Sequence, residues 1–273
     1  MTRSEADIAI GWAAAEGWNP GLHDGDCFYQ ADPTGFLIGL VRDEPVATLS
    51  AVRYGESFGF IGFYIVKPEC RGRGYGLQIW QAGLAHLGDR TVGLDGVVAQ
   101  QENYQRSGFA LAHQNRRYQG TGGGVFPVDL GVVPLSVMPF EPVNAYDRRF
   151  FPGERGAFLR CWINQPDCTA LGVVRDDALM GYGVVRQCRS GYKIGPLFAD
   201  TPEVADCLFS ALRSQVPVDE PLVLDIPAVN PAAVELADRY GMTMVFETAR
   251  MYIGPAPVLP MDRLFGITTF ELG

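Results

Sequence analysis

The sequence predicts an α/β (α+β) fold built as two tandem copies of one unit, each a mixed sheet flanked by helices. Three observations lead there. The first is length: 273 residues exceed one ordinary domain and suit two. The second is an internal repeat. Val41-Arg42-Asp43 returns as Val174-Arg175-Asp176 and Gly108-Phe109 as Gly241-Met242, each 133 residues on, while Tyr118 and Tyr252 are 134 apart. A period this long means duplicated domains rather than a solenoid, whose units run to roughly 20–50 residues. The third is element order, since a hairpin followed by strand, helix, strand, helix and strand implies a mixed sheet with helices on both faces.

Each element has a local reason. Ser4–Glu16 spaces Ile8, Ile10, Trp12 and Ala13 helically, and Trp18 to Gly21, with Pro20, stops that helix. A hairpin is expected over about 35–53 with its turn at 42–45, then a β-rich strand over 58–66. A glycine-rich turn at 71–76 opens a helix over 77–87. Residues 92–98 read as a buried strand, 100–107 as a short helix, and Gly108-Phe109 as the turn into a last strand. The second half repeats the order: helix 157–163, hairpin 170–187, strand 194–198, helix 202–215, strand 222–226, helix 231–240 and a strand from Thr243. The domains expected are 1–130 and 131–273. The join, Thr121–Phe140, is weakly apolar but broken by glycines and prolines, and reads as a linker or extended edge segment rather than a membrane span.

Composition narrows the function. Apolar residues make up 47% and charged residues 19%, which is globular and not disordered. A net charge of −9 disfavours nucleic acid and anionic membranes as partners. The first 18 residues lack the apolar run of a secretory signal, so a cytoplasmic location is expected. The six cysteines show no CxxC spacing and only three histidines accompany them, so no metal site is expected, and the thiols should be reduced.

The segment that carries chemistry runs from Tyr64 to Trp80. A strand enters a loop of alternating glycines (Gly72, Gly74, Gly76) and passes straight into a helix. Glycines let backbone N–H groups converge, and a helix start adds roughly half a positive charge. Lys67, Arg71 and Arg73 add a basic patch, so the loop suits a diphosphate. It lacks the Gly-Lys-Ser/Thr of a P-loop and the repeated βαβ context of a dinucleotide site. The plain alternative is a flexible turn capping a helix.

Arg71-x-x-Gly74-x-Gly76, following Val66-x-Pro68-Glu69, resembles the acyl-CoA-binding motif of the GNAT superfamily of N-acyltransferases. The second half, with its closing Phe265 to Gly273, resembles the degenerate second domain of tandem GNAT proteins of the YitH/HolE type. The resemblance implies a mostly antiparallel twisted sheet in each half. It also implies acetyl-CoA as co-substrate, direct acetyl transfer to a primary amine of a small molecule, and no metal. Backbone at Tyr64, Ile65 and Val66 would pair with the pantetheine arm. The loop Arg71, Gly72, Arg73, Gly74, Tyr75 and Gly76 would hold the pyrophosphate. Tyr104, four residues before Gly108, stands where the family places the acid that protonates the departing thiolate, a role that contributes typically ~10²–10⁴ in rate. A surface tyrosine at a domain edge is its alternative reading. Val97 occupies the position of a family Asn, and Gln100 or Gln101 is the available substitute.

The second half lacks these features. The loop's counterpart 133 residues on is Val204–Phe209, without glycine or base, and Ala237 replaces the tyrosine although Asn230 is kept. The expectation is a degenerate domain that completes the acceptor site or braces the first.

An alkyl amine of pKa ~10.4 is neutral in about one molecule in ~10³ at pH 7, so a base or a desolvating pocket is required. Asp95, in an apolar strand between glycines, is the first candidate. Its alternative is a structural Asp, since Asp225 sits similarly in the second repeat. Glu102, Asp24 and Asp26 are weaker candidates. For the acceptor site the expected residues are Trp18, Asn19, Asp24 and Asp225. His113, Arg116 and Arg117 are expected on a solvated edge. A homodimer is the assembly expected. Rival functions are a non-catalytic acyl-CoA-binding or regulatory protein, or a GNAT enzyme with a longer acyl donor or a protein lysine or N-terminus as acceptor.

Overall fold

Capping and apolar spacing explain the first helix, and the same chemistry recurs along the chain. The computed structural model describes residues 1–127 and 131–273. Helix α1 (Arg3–Ala15) starts from a capping box: the Thr2 hydroxyl accepts the Glu5 N–H at 3.3 Å, and the Thr2 N–H donates to the Glu5 carboxylate at 2.6 Å. Its buried stripe is Ala6, Ala9, Ile10 and Ala13. There follow α2 (Asp24–Ala31), β1 (Phe36–Val41), β2 (Glu44–Tyr54), β3 (Phe58–Val66), α3 (Tyr75–Leu87), β4 (Thr91–Val97), α4 (Gln101–Arg106) and β5 (Ala110–Thr121). The second half contains β6 (Val132–Pro134), α5 (Phe140–Asp147), α6 (Gly156–Trp162), β7 (Cys168–Arg175), β8 (Ala178–Gln187), β9 (Tyr192–Ala199), α7 (Pro202–Arg213), β10 (Pro221–Pro227), α8 (Pro231–Arg239), β11 (Thr243–Ile253) and β12 (Leu264–Gly266). The β1–β2 and β7–β8 hairpins turn through paired left-handed residues, Arg42-Asp43 and Asp176-Asp177.

The strands form one continuous sheet in the order β1-β2-β3-β4-β11-β5-β10-β9-β8-β7-β6, with β12 on β9. The last strands of the two repeats are therefore exchanged: β11 of the second pairs with β4 of the first, and β5 of the first pairs with β10 of the second. The solvated-edge expectation for His113, Arg116 and Arg117 is corrected by this exchange. Strand β5 is central, with partners on both sides, and Arg117 is buried.

Two ion pairs lock the exchange. Arg250 of β11 donates to both carboxylate oxygens of Asp95 on β4, at 2.8 and 2.7 Å. Arg117 of β5 donates to both oxygens of Asp225 on β10, at 2.6 and 2.7 Å. Each arginine belongs to the other repeat from its aspartate, so the pairs fix the strand register across the join.

Other details depart from expectation. Residues 24–31 are helical because Cys27 and Phe28 bury against α6, where Phe28 stacks near Phe158 and Trp162. Tertiary packing overrides the poor helix propensity of Asp24-Gly25-Asp26. Residues 140–147 also form a helix. Cys27 and Cys161 are paired as a disulfide, which corrects the reduced-thiol expectation for these two; 134 residues apart, they are equivalent positions that α2 and α6 bring face to face. Val204–Phe209 lies inside α7, so the counterpart of the glycine loop is instead the two-residue turn Asp200-Thr201 between β9 and α7. Within Thr121–Phe140, β6 pairs with β7 as an edge; the expected boundary at 130/131 falls at residues 128–130, outside the described residues. Among the described residues no helix is long and apolar enough to cross a membrane.

The closing segment 264–273 is buried almost throughout. It leaves β12, crosses the sheet beside Asp225, whose carbonyl accepts the Ile267 N–H at 2.9 Å, and ends against Phe60 and Phe151 of the two halves.

Candidate active site

The site begins where two strands part. Parallel pairing between β3 and β4 runs from Phe58 and Thr91 to Ile61 and Leu94 and then stops, although β3 continues to Val66 and β4 to Val97. The far edge of β4 is held by β11, and β3 is kept on β2, so the fork leaves two backbone edges facing each other without partners. A bulge at Phe63, with φ of 47°, places Phe63 and Tyr64 opposite Leu49 and bends β3 at the fork. Unpaired backbone groups inside a covered space require a ligand or water.

A cavity of about 630 Å³ opens in the fork. Its first-half wall includes residues 61–66 of β3, 94–97 of β4, Trp18, Asn19, Arg71, Trp80 and Tyr104; its second-half wall includes Val223, Val245, Phe246, Thr248, Phe270 and Glu271. The expected pantetheine residues Tyr64, Ile65 and Val66 are thus brought together with Tyr104 and Arg71.

The glycine loop occupies residues 67–74. Gly72 and Gly74 take φ of 75° and 82°, where a side chain would strain the backbone. Gly74 is the N-cap of α3 and supplies no side-chain acceptor, so the first amides of the helix remain free for an anion. Gly76 lies inside the first turn, and any Cβ there would meet the Tyr64 hydroxyl. Arg71 is braced from both ends, donating to the Val66 carbonyl at 3.0 Å and to Glu16 at 2.6 Å. Arg71 reaches the cavity; Gly72, Arg73 and Gly74 form the exposed turn beyond it, leading into Tyr75 and Gly76.

Tyr104 rises from α4 onto Gly96, where a Cβ would collide with its ring. It packs against Trp80 at 5.5 Å between ring centroids and Phe109 at 6.4 Å, and Trp80 meets Tyr64 at 5.1 Å. Burial, with a contribution from Tyr64, pushes the Tyr104 phenol up to about 12, so it stays protonated at neutral pH. Val97 is the last residue of β4 and Gln100 caps α4, which explains the apparent register departure: α4 spans six residues where α8 spans nine.

The carboxylate candidates are placed less uniformly. Asp95 lines the cavity, but both its oxygens are taken by Arg250, and the Asn115 amide adds a bond at 2.8 Å. Asp225 is bound to Arg117 and is not among the residues that line the cavity; burial works to raise its carboxyl, yet Arg117 and Lys193 hold it below the usual range. Asp24 is spent within the fold, accepting from the Gly21 N–H and Arg186, each at 2.8 Å. Asp26 pairs with Arg3, and Glu102 lies on the surface beside Arg106. Trp18 lines the cavity and its carbonyl accepts from Arg117 at 3.2 Å; the Asn19 side chain clasps Ser190 of the other half at 2.7 and 3.0 Å.

Sequence reasoning missed Phe246, Thr248, Phe270, Glu271 and Arg117 as cavity residues. The one legible signal was Glu271, the lone charged residue of the closing run 264–273.

Comparison with known proteins identifies the family. Residues 9–110 match the model of the Acetyltransferase (GNAT) family and 143–266 that of an Acetyltransferase (GNAT) domain. The chain is 32% identical over 269 residues to holothin acyltransferase of Pseudoalteromonas sp., covering 98% of this chain and 92% of that one. It is 25% identical to the uncharacterized N-acetyltransferase YitH of Bacillus subtilis, covering 62% of this chain and 60% of the other. Among solved structures, a putative acetyltransferase from Pyrococcus horikoshii superposes with a TM-score of 0.85 at 24% identity, over 100% and 94% of the two chains. A tandem GNAT protein from the clavulanic acid biosynthesis pathway gives 0.65 at 15% identity, over 94% and 98%. With a GNAT unit in each half and a near full-length acyltransferase relative, this chain belongs to the GNAT family of acyltransferases, as a tandem member.

Proposed function

We propose that the chain transfers an acetyl group from acetyl-CoA directly to a primary amine of a small molecule. In this reading residues 1–130 form the catalytic domain and 131–273 a degenerate one that completes the acceptor site. The observation that carries the proposal is the fork, with a protonated phenol and an uncapped, glycine-lined helix start at its open end. The free edges of β3 and β4 offer the amides and carbonyls that an extended pantetheine arm requires. The α3 amides and Arg71 offer the pyrophosphate site.

Holding the two reactants side by side supplies much of the rate, since well-oriented pairs gain up to ~7–11 kcal/mol. Backbone N–H groups at the bulge polarise the thioester carbonyl. Tyr104 gives its proton to the departing sulfur. The second-half wall, rich in Val223, Val245, Phe246 and Phe270, favours an acceptor with an apolar body. The same wall favours, as a second reading, an acyl chain longer than acetyl.

Calorimetric titration with acetyl-CoA tests the assignment. One equivalent should bind, and Arg71→Ala/Gly74→Trp should abolish binding; no binding by the unaltered chain sinks the proposal. An amine screen by thiol release, repeated with acyl-CoA donors of increasing length, then decides between the two donor readings.

A further inference from the structure

We infer that Glu271 is the catalytic base of this site, the group that receives the acceptor amine and takes its proton. The inference rests on the acyl-transfer reading above and adds to it a residue contributed by the second repeat. Glu271 is 3% exposed, lines the cavity, and its Oε2 has no hydrogen-bond partner among the described residues. A buried carboxyl oxygen left without a hydrogen-bond partner is costly, so a fold keeps one only where something meets it.

Its position is fixed by the fork. Gly62 is the first β3 residue beyond the last β3–β4 pair, and a Cβ on Gly62 would collide with the Glu271 backbone carbonyl. The closing segment therefore packs at the root of the fork, beside the backbone that would position the thioester. Both flanks of Glu271 are pinned. The N–H groups of Glu271 and Leu272 donate to the Thr269 hydroxyl at 3.2 and 2.9 Å, the Tyr54 hydroxyl donates to the Leu272 carbonyl at 3.1 Å, and Arg155 donates to Thr268 at 3.0 Å. The backbone that carries the carboxylate is thus held in place.

The other buried acids nearby are already committed: Asp95 to Arg250, Asp225 to Arg117, and Asp24 to Arg186. The charged groups that interact with Glu271 are Arg117 from β5, Arg186 from β8 and Lys193 from β9, with Asp225 of β10 behind Arg117 and the Tyr54 phenol from β2 on the flank of Glu271. Lys193 is buried, which lowers its ammonium; Arg117 works the same way and Glu271 opposes both. Arg117 and Arg186 are paired with Asp225 and Asp24, and among the described residues none of these cations forms a salt bridge with Glu271.

The step balances. The alkylammonium gives one proton to Glu271, which passes it to solvent, and the electron pair freed on nitrogen forms the C–N bond. The C–S bond breaks with its pair on sulfur, which takes the Tyr104 proton. The second nitrogen proton, acidic once the nitrogen is acylated, returns through solvent to the tyrosinate.

The test compares the unaltered protein with Glu271→Gln and Glu271→Asp, using acetyl-CoA with benzylamine, aniline and the amines found in the screen. With alkylamines, Glu271→Gln should lower kcat/KM ~10²–10⁴-fold and remove the acid limb of the pH profile, with Glu271→Asp restoring part of the rate. Arylamines arrive already neutral and should lose far less. Calorimetric acetyl-CoA binding should be unchanged, while alkylamine affinity for the CoA-bound protein falls. Equal losses with both amine classes, an unchanged pH profile, or lost acetyl-CoA binding in Glu271→Gln would each overturn the assignment. Failure of the unaltered protein to turn over any amine would instead overturn the acyl-transfer reading, and this inference with it.

Discussion

Between β3 and α3 the first repeat uses eight residues; between β9 and α7 the second uses two. The second helix start is closed by chemistry the first lacks, since the Thr201 hydroxyl accepts the Val204 N–H and Pro202 fills the first turn. With Val204 capped and Pro202 carrying no N–H, that helix start has fewer free amides to offer a diphosphate. The helix before each last strand shows the same divergence. Phe109 N–H donates to Tyr104 at 3.1 Å and Met242 N–H donates to Ala237 at 3.0 Å, so the two turns superpose while one carries a phenol and the other a methyl. The buried Asp–Arg pairs, by contrast, are kept in both repeats. The lesson is that the interlocking parts of the duplication remain twofold, whereas each group proposed to take part in the reaction occurs once.

Substitutions can break that comparison or sharpen it. The largest effect belongs to Tyr104→Phe, expected to lower turnover ~10²–10⁴-fold while leaving acetyl-CoA titration intact; unchanged turnover would remove the phenol from the mechanism. Next come the two ion pairs. Arg250→Met or Arg117→Met, each leaving a buried aspartate alone, should cost about 3–5 kcal/mol in denaturant unfolding, and Arg250→Met/Asp95→Leu far less. Similar costs at both pairs would support the twofold reading of the scaffold.

His113 gives a smaller, pH-dependent contrast. Burial, together with Arg250, lowers its imidazole to about 4 from 6.5. Its folded value lies below its unfolded one, so stability is complete above pH 6.5 and is lost as pH falls toward 4, by at most about 3 kcal/mol. His113→Phe, which installs the residue found 133 positions on at Phe246, should flatten that slope in thermal melts. Glu16→Gln should move stability by under about 1 kcal/mol, because the Arg71–Glu16 pair is exposed.

Much of this was legible in the sequence. The β3 strand runs from 58 to 66 as its apolar β-rich run predicts, and both hairpins turn where Arg42-Asp43 and Asp176-Asp177 allow left-handed backbone. The Gly72 and Gly74 loop and Tyr104 were visible as motifs. Strand partners were not, because period-two patterning says which face a strand buries and nothing about which strand lies beside it. That is why β5 read as an edge, and why the choice between base and structural aspartate stayed open for Asp95, whose partner Arg250 stands 155 residues away. Helix α2 escaped notice because its stability comes from α6, and the loop's true counterpart because the second repeat is shorter there. Glu271 was seen only as part of a closing motif, since nothing local shows that residues 264–273 thread back to β3.

The exchanged strands also govern how the chain can be made. While a ribosome is still synthesising the second half, the first has all its helices and its cavity floor, yet β4 has a bare edge and β5 has nothing to lie between. Neither is satisfied until β11 emerges, so the cavity cannot close during early synthesis. Such long-range pairing is slow and leaves unpaired edges exposed to other chains. An isolated first repeat should therefore be expected to dimerise through those edges or aggregate, and the duplication is better understood as one cooperative folding unit than as an enzyme with an accessory.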